Sequence, residues 1–286
     1  MRGLAGRLTI YSRKPEAAQG LALDFLHARP QLPSIEIRGR GLDEIEEEDV
    51  LVFAPGHHTR AGETRLDIFR QNLSVMDDMA TAVEAGAMPR IALVVTNPLD
   101  VLTEYLSRRW ADRPVAVMGS GTSLDTLRLT QRVAQECGVH ARSVHSWVVG
   151  EHGDSCVFLL GSATVGTMPL LEFAAPRGID LTPERLEGIE TDVRRAAYEV
   201  RDLKGAAVQG IGLTVSGLVH ASMYEVGAII SVSGRAGDNV CASLPCVLGP
   251  DGPSAPLMPA MSTREQDAWD KSLTVLRKAN EELPAF

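Results

Sequence analysis

No apolar run in the chain approaches the roughly 20 residues needed to span a bilayer. Its first residues, MRGLAGRLTIYSRK, lack the apolar stretch and small-residue cleavage site of a secretory signal. A cytoplasmic protein without a membrane partner is therefore expected. Positive charge is also in deficit: 28 Lys and Arg stand against 37 Asp and Glu, a net charge of −9 over 286 residues. Nucleic-acid binders present a basic footprint, so this balance argues against that class. Cysteine is scarce. The four present, Cys137, Cys156, Cys241 and Cys246, are expected as reduced core thiols rather than a disulfide frame. Cys241 and Cys246 sit in an apolar stretch with no histidine beside them, so no metal site is expected. Internal repeats and low-complexity tracts are absent, and the acidic run EIEEED at 44–49 reads as a solvated loop before a strand.

What is present is alternation. RLTIYS (7–12), SIEIRG (34–39), DVLVFAPG (49–56), RIALVVTNP (90–98) and VAVMGSG (115–121) are short apolar runs bounded by Gly, Pro or Asn, separated by helix-like segments. That pattern predicts an α/β fold with a mostly parallel sheet. From Leu66 the residues Phe69, Leu73, Met76, Met79 and Val83 recur at three- and four-residue intervals and make one stripe able to pack on a sheet. Beyond Gly121 the regular alternation stops. A helix over about 122–137 ends at Gly138, two apolar strands flank the turn EHGD, and Thr182 with Pro183 caps a long helix. Two further strands and a closing helix around Trp269 complete an α+β half. The boundary is placed near Gly119, giving units 1–119 and 120–286.

Four places collect polar groups in apolar surroundings: His57 to Arg65 after the third strand, TNP at 96–98, GSGTSLDTLR, and EHGD. Taken singly, each has a plain reading as surface charge or a hydrogen-bonded structural residue. Taken together they make a chemical kit. A histidine held by a carboxylate can exchange a proton with a hydroxyl or carbonyl oxygen. One arginine can grip a carboxylate through two parallel hydrogen bonds, and a second can stabilise charge on the reacting oxygen. Such a set suits oxidation of a 2-hydroxy acid or reduction of a 2-oxo acid.

The ordered blocks AAQGLALDF, PGHHTRAGETRLD, RQN, VTNPLDVLT, GSGTSLDTLR, GEHGD and KGAAVQGIG resemble the lactate/malate dehydrogenase family over essentially the whole chain. The resemblance implies that His152 is the general acid/base and Asp125 its orienting carboxylate. Arg128 would anchor the substrate carboxylate, Arg65 would polarise the carbonyl from a mobile loop, and Asn97 would add a polar contact near the reacting oxygen and the cofactor. It also implies a nicotinamide cofactor, a small 2-oxo or 2-hydroxy carboxylate as substrate, and a homo-oligomer. An oligomer would also cover apolar surface that the 62–86 helix stripe is expected to leave.

The chain departs from the family pattern in three respects. No G-x-G-x-x-G turn occurs, and the strand and helix that would flank it are not found before RLTIYS. An incomplete Rossmann-like sheet lacking its central strand is therefore expected, with weakened cofactor binding. A truncated or mis-started reading frame is favoured over a chain that never bound a dinucleotide. Second, the family's acidic residue at the end of the second strand is replaced by Ser12, followed by Arg13 and Lys14, which leaves NADP open beside NAD. Third, the substrate-discriminating position of the mobile loop is Thr59: neutral Thr59 would suit a monocarboxylate, and an inward Arg60 a dicarboxylate. Beside the dehydrogenase reading stand two alternatives. One is a cofactor-free paralogue that binds small carboxylates or regulates a full-length relative. The other uses the His152–Asp125 pair for proton transfer alone.

Overall fold

The computed structural model describes residues 3–56, 65–205, 207–224, 227–237 and 239–285. The chain divides into two compact units, residues 1–92 with 112–116, and residues 93–111 with 117–286. The chain passes between these units three times, after residues 92, 111 and 116.

In the first unit β1 (Arg7–Ser12) leads into α1 (Pro15–His27), followed by β2 (Glu36–Gly41), β3 (Val50–Phe53), α2 (Arg65–Ala85) and the start of β4 (Ile91–Val94). β1 and β2 pair in parallel, from Arg7 opposite Glu36 to Ser12 opposite Gly41, as expected for strands joined through a helix. They form a two-stranded sheet of their own, and β3 stands at the end of a different sheet. α1 lies so close on β2 that a Cβ at Gly39 would sit 2.3 Å from the backbone of Ala18. Only glycine permits that approach.

Two expectations for this unit need correction. Among the described residues of the α2 stripe, Phe69, Met76 and Val83 are buried and Leu73 and Met79 half-buried, so the stripe is largely covered within the chain. The acidic run is likewise more than a solvated loop. Glu48 accepts from Tyr11 Oη at 2.9 Å and pairs with Arg7 at 3.2 Å, while Glu46 pairs with Arg40 at 2.7 Å and Arg38 at 3.2 Å. The run therefore ties the segment before β3 to the β1–β2 pair.

The second unit contains α3 (Leu99–Arg109), β5 (Ala116–Gly119), α4 (Ser123–Cys137), β6 (Val144–His145), β7 (Val148–Val149), β8 (Val157–Phe158), β9 (Thr164–Val165) and β10 (Met168–Pro169). After these come α5 (Leu170–Ala174), α6 (Pro183–Lys204), α7 (Val208–Met223), β11 (Ala228–Gly237), β12 (Val240–Gly249), β13 (Gly252–Pro253) and α8 (Thr263–Asn280). β11 and β12 form a long antiparallel hairpin, and β11 also pairs antiparallel with β5. α3 packs on β11, β12 and α8, which is why it belongs with this unit.

Local signals explain the helix ends. α4 stops at Gly138, whose φ of 61° is the left-handed conformation that favours glycine. Thr182 Oγ1 caps α6 by accepting from Arg185 N at 3.3 Å. Ser262 and Glu265 form a reciprocal capping box on α8.

Packing in this unit fixes the segment between β7 and β8. Val148 and Phe158 join a core with Leu129 and Val133 of α4 and Ile189 and Val193 of α6. Their neighbours Val149 and Val157 face a second core with Val240, Ala242 and Leu244 of β12 and Trp269 and Leu273 of α8. This is the period-two alternation of a strand buried on both faces. The turn at 150–156 is therefore held at both ends by well-packed layers. The four cysteines are free and buried, and among the described residues no helix is long and apolar enough to cross a membrane.

Candidate active site

The turn begins at Gly150, whose φ is 86° and whose Cβ position lies 2.6 Å from Ser272 Oγ, so both conformation and space demand glycine. Ser272 of α8 accepts from Glu151 N at 2.8 Å. Glu151 in turn accepts from Ser155 N at 3.0 Å and from Ser155 Oγ at 2.5 Å, closing the turn on itself. His152 is thereby presented on a braced loop.

Three side chains converge there. His152 Nδ1 lies 2.7 Å from Asp125 Oδ2, and Asp125 Oδ1 accepts from Arg128 Nη1 at 2.8 Å. Asp125 is in the first turn of α4, and Arg128 follows it at i+3 on the same helix face. The side chains are 25% exposed for His152, 13% for Asp125 and 17% for Arg128, enclosed yet reachable by a small molecule. Because an ionised carboxylate can only accept, Nδ1 carries the proton toward Asp125, and Nε2 is the ring nitrogen left for proton exchange.

The electrostatics follow from this geometry. Burial disfavours a charged imidazole, but the charge and hydrogen bond of Asp125 outweigh it, so His152 titrates above the ordinary histidine range. Burial likewise pushes Asp125 upward, yet His152 and Arg128 together hold it below the usual carboxylate range. The two shifts share one origin, the ion pair.

A second carboxylate, which the sequence alone does not single out, stands behind the turn. Asp100, in the first turn of α3, is 3% exposed. Its Oδ2 accepts from the backbone N–H of His152 at 2.7 Å, and its Oδ1 accepts from Ser233 Oγ at 2.6 Å. Burial raises its pKa to about 6, with the Ser233 and His152 bonds acting in the opposite direction. The available signal was an acidic residue inside the otherwise apolar PLDVL; its partners on β11 and the EHGD turn could not be read from spacing.

The other expected site residues lie elsewhere along the chain. Asn97 is exposed, immediately before α3. Arg65 is the first residue of α2, and its side chain lies outside the described residues, as do Thr59 and Arg60. Ser12 and Arg13 lie in the first unit, where they border a cavity of about 670 Å³ together with Tyr11, Lys14, Val52 and Met79. Apolar walls with a hydroxyl and two cations at the rim fit the adenosine end of a dinucleotide. Among the described residues of this unit no Gly-rich turn joins a strand to a helix as the accompanying pyrophosphate cradle would.

Comparison with known proteins decides the family. Residues 1–119 match the model of the lactate/malate dehydrogenase NAD binding domain, and residues 122–286 match the alpha/beta C-terminal domain of the same family. The chain belongs to the lactate/malate dehydrogenase family. It is 36% identical over 284 residues to the L-lactate dehydrogenase of Thermus aquaticus, covering 98% of this chain and 92% of that protein. It is 35% identical over 281 residues to the L-lactate dehydrogenase of Nitratidesulfovibrio vulgaris (strain DP4), covering 96% and 91%. Among solved structures, the minor L-lactate dehydrogenase of Enterococcus mundtii superposes with a TM-score of 0.90 at 27% identity, covering all of this chain and 92% of that one. The protein is thus a nicotinamide-dependent oxidoreductase of the 2-hydroxy acid type. The NAD-binding-domain match starts at residue 1 and so gives no support to the expected loss of the first strand and turn.

Proposed function

We propose that the protein interconverts a small 2-hydroxy monocarboxylate, of the L-lactate type, and its 2-oxo acid. The observation that carries the reading is the convergence of His152 and Arg128 on opposite oxygens of Asp125, at 2.7 and 2.8 Å. The names of the relatives and the neutral Thr59 support a monocarboxylate over a dicarboxylate.

The residues divide the work as follows. Arg128 spends one nitrogen on Asp125 and keeps further donors for the substrate carboxylate. His152 Nε2 accepts the hydroxyl proton during oxidation and returns it to the carbonyl oxygen during reduction, while Asp125 stabilises the imidazolium. Asp100 holds the main chain of His152, so the ring keeps its position as charge comes and goes. Arg65 at the start of α2 stabilises the polarised carbonyl, and Asn97 contributes a polar contact. Ser12, Arg13 and Lys14 hold the adenosine end of the cofactor. When bound, the nicotinamide supplies the acceptor or donor of the hydride at C2 of the substrate.

Two finer features belong to the same reading. The β1–β2 pair is a separate sheet, and its open edge is suited to one further parallel strand. Self-association would cover Val208 and Leu213 of α7, which are 61% and 73% exposed.

The test is oxidation of the reduced nicotinamide by pyruvate and other 2-oxo acids, followed spectroscopically. Turnover that is lost in His152→Asn is expected. Absence of turnover with every 2-oxo acid and both coenzymes, while the folded protein still binds 2-oxo acids, would contradict the proposal.

A further inference from the structure

The cavity in the first unit carries a chemical bias. Its walls come from the end of β1 (Tyr11, Ser12), the following Arg13 and Lys14, the end of β3 with Ala54, Pro55 and Gly56, and Val75 and Met79 of α2. Among the described residues no Asp or Glu lines it. A carboxylate at the end of this strand would accept from the ribose hydroxyls and repel a phosphate there. Here Ser12 takes that place, and its Oγ accepts from Lys14 N at 3.1 Å, which keeps the hydroxyl proton available for donation. Among the described residues Arg13 pairs with Asp78, across a loose 3.9 Å contact between side chains that are 55% and 56% exposed. Such a contact is worth little and yields readily to a better anion. Glu48, the acid nearest to Tyr11, is already committed to Arg7 and the Tyr11 hydroxyl. The rim is therefore cationic, with apolar walls behind it.

We propose that this cavity selects a 2′-phosphorylated adenosine, so that the dinucleotide used by the protein is the 2′-phosphorylated form. Arg13 and Lys14 meet the phosphate, Ser12 donates to it, and the apolar walls of Val52, Ala54, Val75 and Met79 take the base. Arginine suits this role because its planar fork can bond two phosphate oxygens at once. The inference rests on the dinucleotide-dependent reading above but concerns only the first unit.

Calorimetric titration of the whole purified chain with adenosine 2′,5′-bisphosphate and with 5′-AMP tests it without any turnover. The bisphosphate is expected to bind at least about tenfold more tightly, the scale of one charge-assisted contact. Arg13→Glu is expected to abolish that preference while leaving the circular dichroism unchanged. Equal affinities, tighter binding of 5′-AMP, or binding of neither fragment would overturn the proposal, as would an unchanged ratio in a folded Arg13→Glu. Fluorescence titration with the two reduced dinucleotides should give the same order.

Failure here and failure of the dehydrogenase reading look different. Turnover of a 2-oxo acid with no preference between the two coenzymes removes only the phosphate assignment. A fragment preference in a chain that turns over no 2-oxo acid retains the phosphate site and removes the dehydrogenase reading.

Discussion

Replacing Asp125 by Asn would remove one charge and little volume. The amide oxygen can still accept from His152 Nδ1, so the ring keeps its place, while the imidazolium loses the anion that lies 2.7 Å away. A hydrogen bond to a charged group is worth about 1.5–3 kcal/mol. At about 1.4 kcal/mol per pH unit, His152 should titrate roughly one to two units lower in the variant. The sign follows from which form works. Reduction of the oxo acid needs the imidazolium, which persists in the native protein to a pH above the ordinary histidine value because Asp125 holds it there. The descending limb of the pH–rate profile for reduction should therefore move to lower pH, and kcat near neutrality should fall about 10- to 100-fold. KM for the oxo acid should change little, because Arg128 loses an internal partner and not its charge. Steady-state kinetics across the pH range, with the imidazole followed by NMR, make the measurement. An unmoved limb combined with a large rise in KM would refute the reasoning and assign Asp125 to orienting Arg128 instead.

Further consequences can be checked alongside. Arg128→Gln should raise KM for the oxo acid about 10- to 150-fold, the range of a lost charge-assisted contact, with the pH limb of His152 largely in place; an unchanged KM would exclude Arg128 as the carboxylate anchor. Asp100 has a folded pKa raised from 3.8 to about 6. Its relative contribution to stability is therefore fully present below pH 4 and is lost as the pH rises through about 6, a change of about 3 kcal/mol. Urea unfolding should show this slope in the native protein and a flatter one in Asp100→Asn, and parallel curves would count against it. Gly150→Ala should destabilise by about 3 kcal/mol, from the left-handed backbone and the clash with Ser272 Oγ, and should lower kcat by disturbing the His152 turn; an unchanged melting temperature would show that the turn relaxes.

Much of the fold was legible because its punctuation is strong. The apolar runs ending in PG, NP and GSG became β3, β4 and β5, and Gly138 and Thr182–Pro183 mark the ends of α4 and α6. The pairing of His152 with Asp125 was implied by the resemblance to a dehydrogenase family and joins residues 27 positions apart, a contact that no local pattern describes. What escaped notice depends on partners distant in sequence. Asp100 acquires meaning only through Ser233 and the main chain of His152. The acidic run at 44–49 is a strap rather than a loop because Arg7, Tyr11, Arg38 and Arg40 meet it in space. The division near Gly119 followed the change in texture of the sequence, while α3 joined the second unit through packing that texture does not encode.

The most direct measurement is to supply the reduced coenzyme with deuterium at the transferable C4 position, incubate it with pyruvate and the purified protein in ordinary water, and locate the label in the product. Deuterium bonded to C2 of lactate is predicted, with the hydroxyl proton drawn from His152. Unlabelled product, or exchange of solvent protons at the carbon beside the carbonyl without use of the coenzyme, would contradict it.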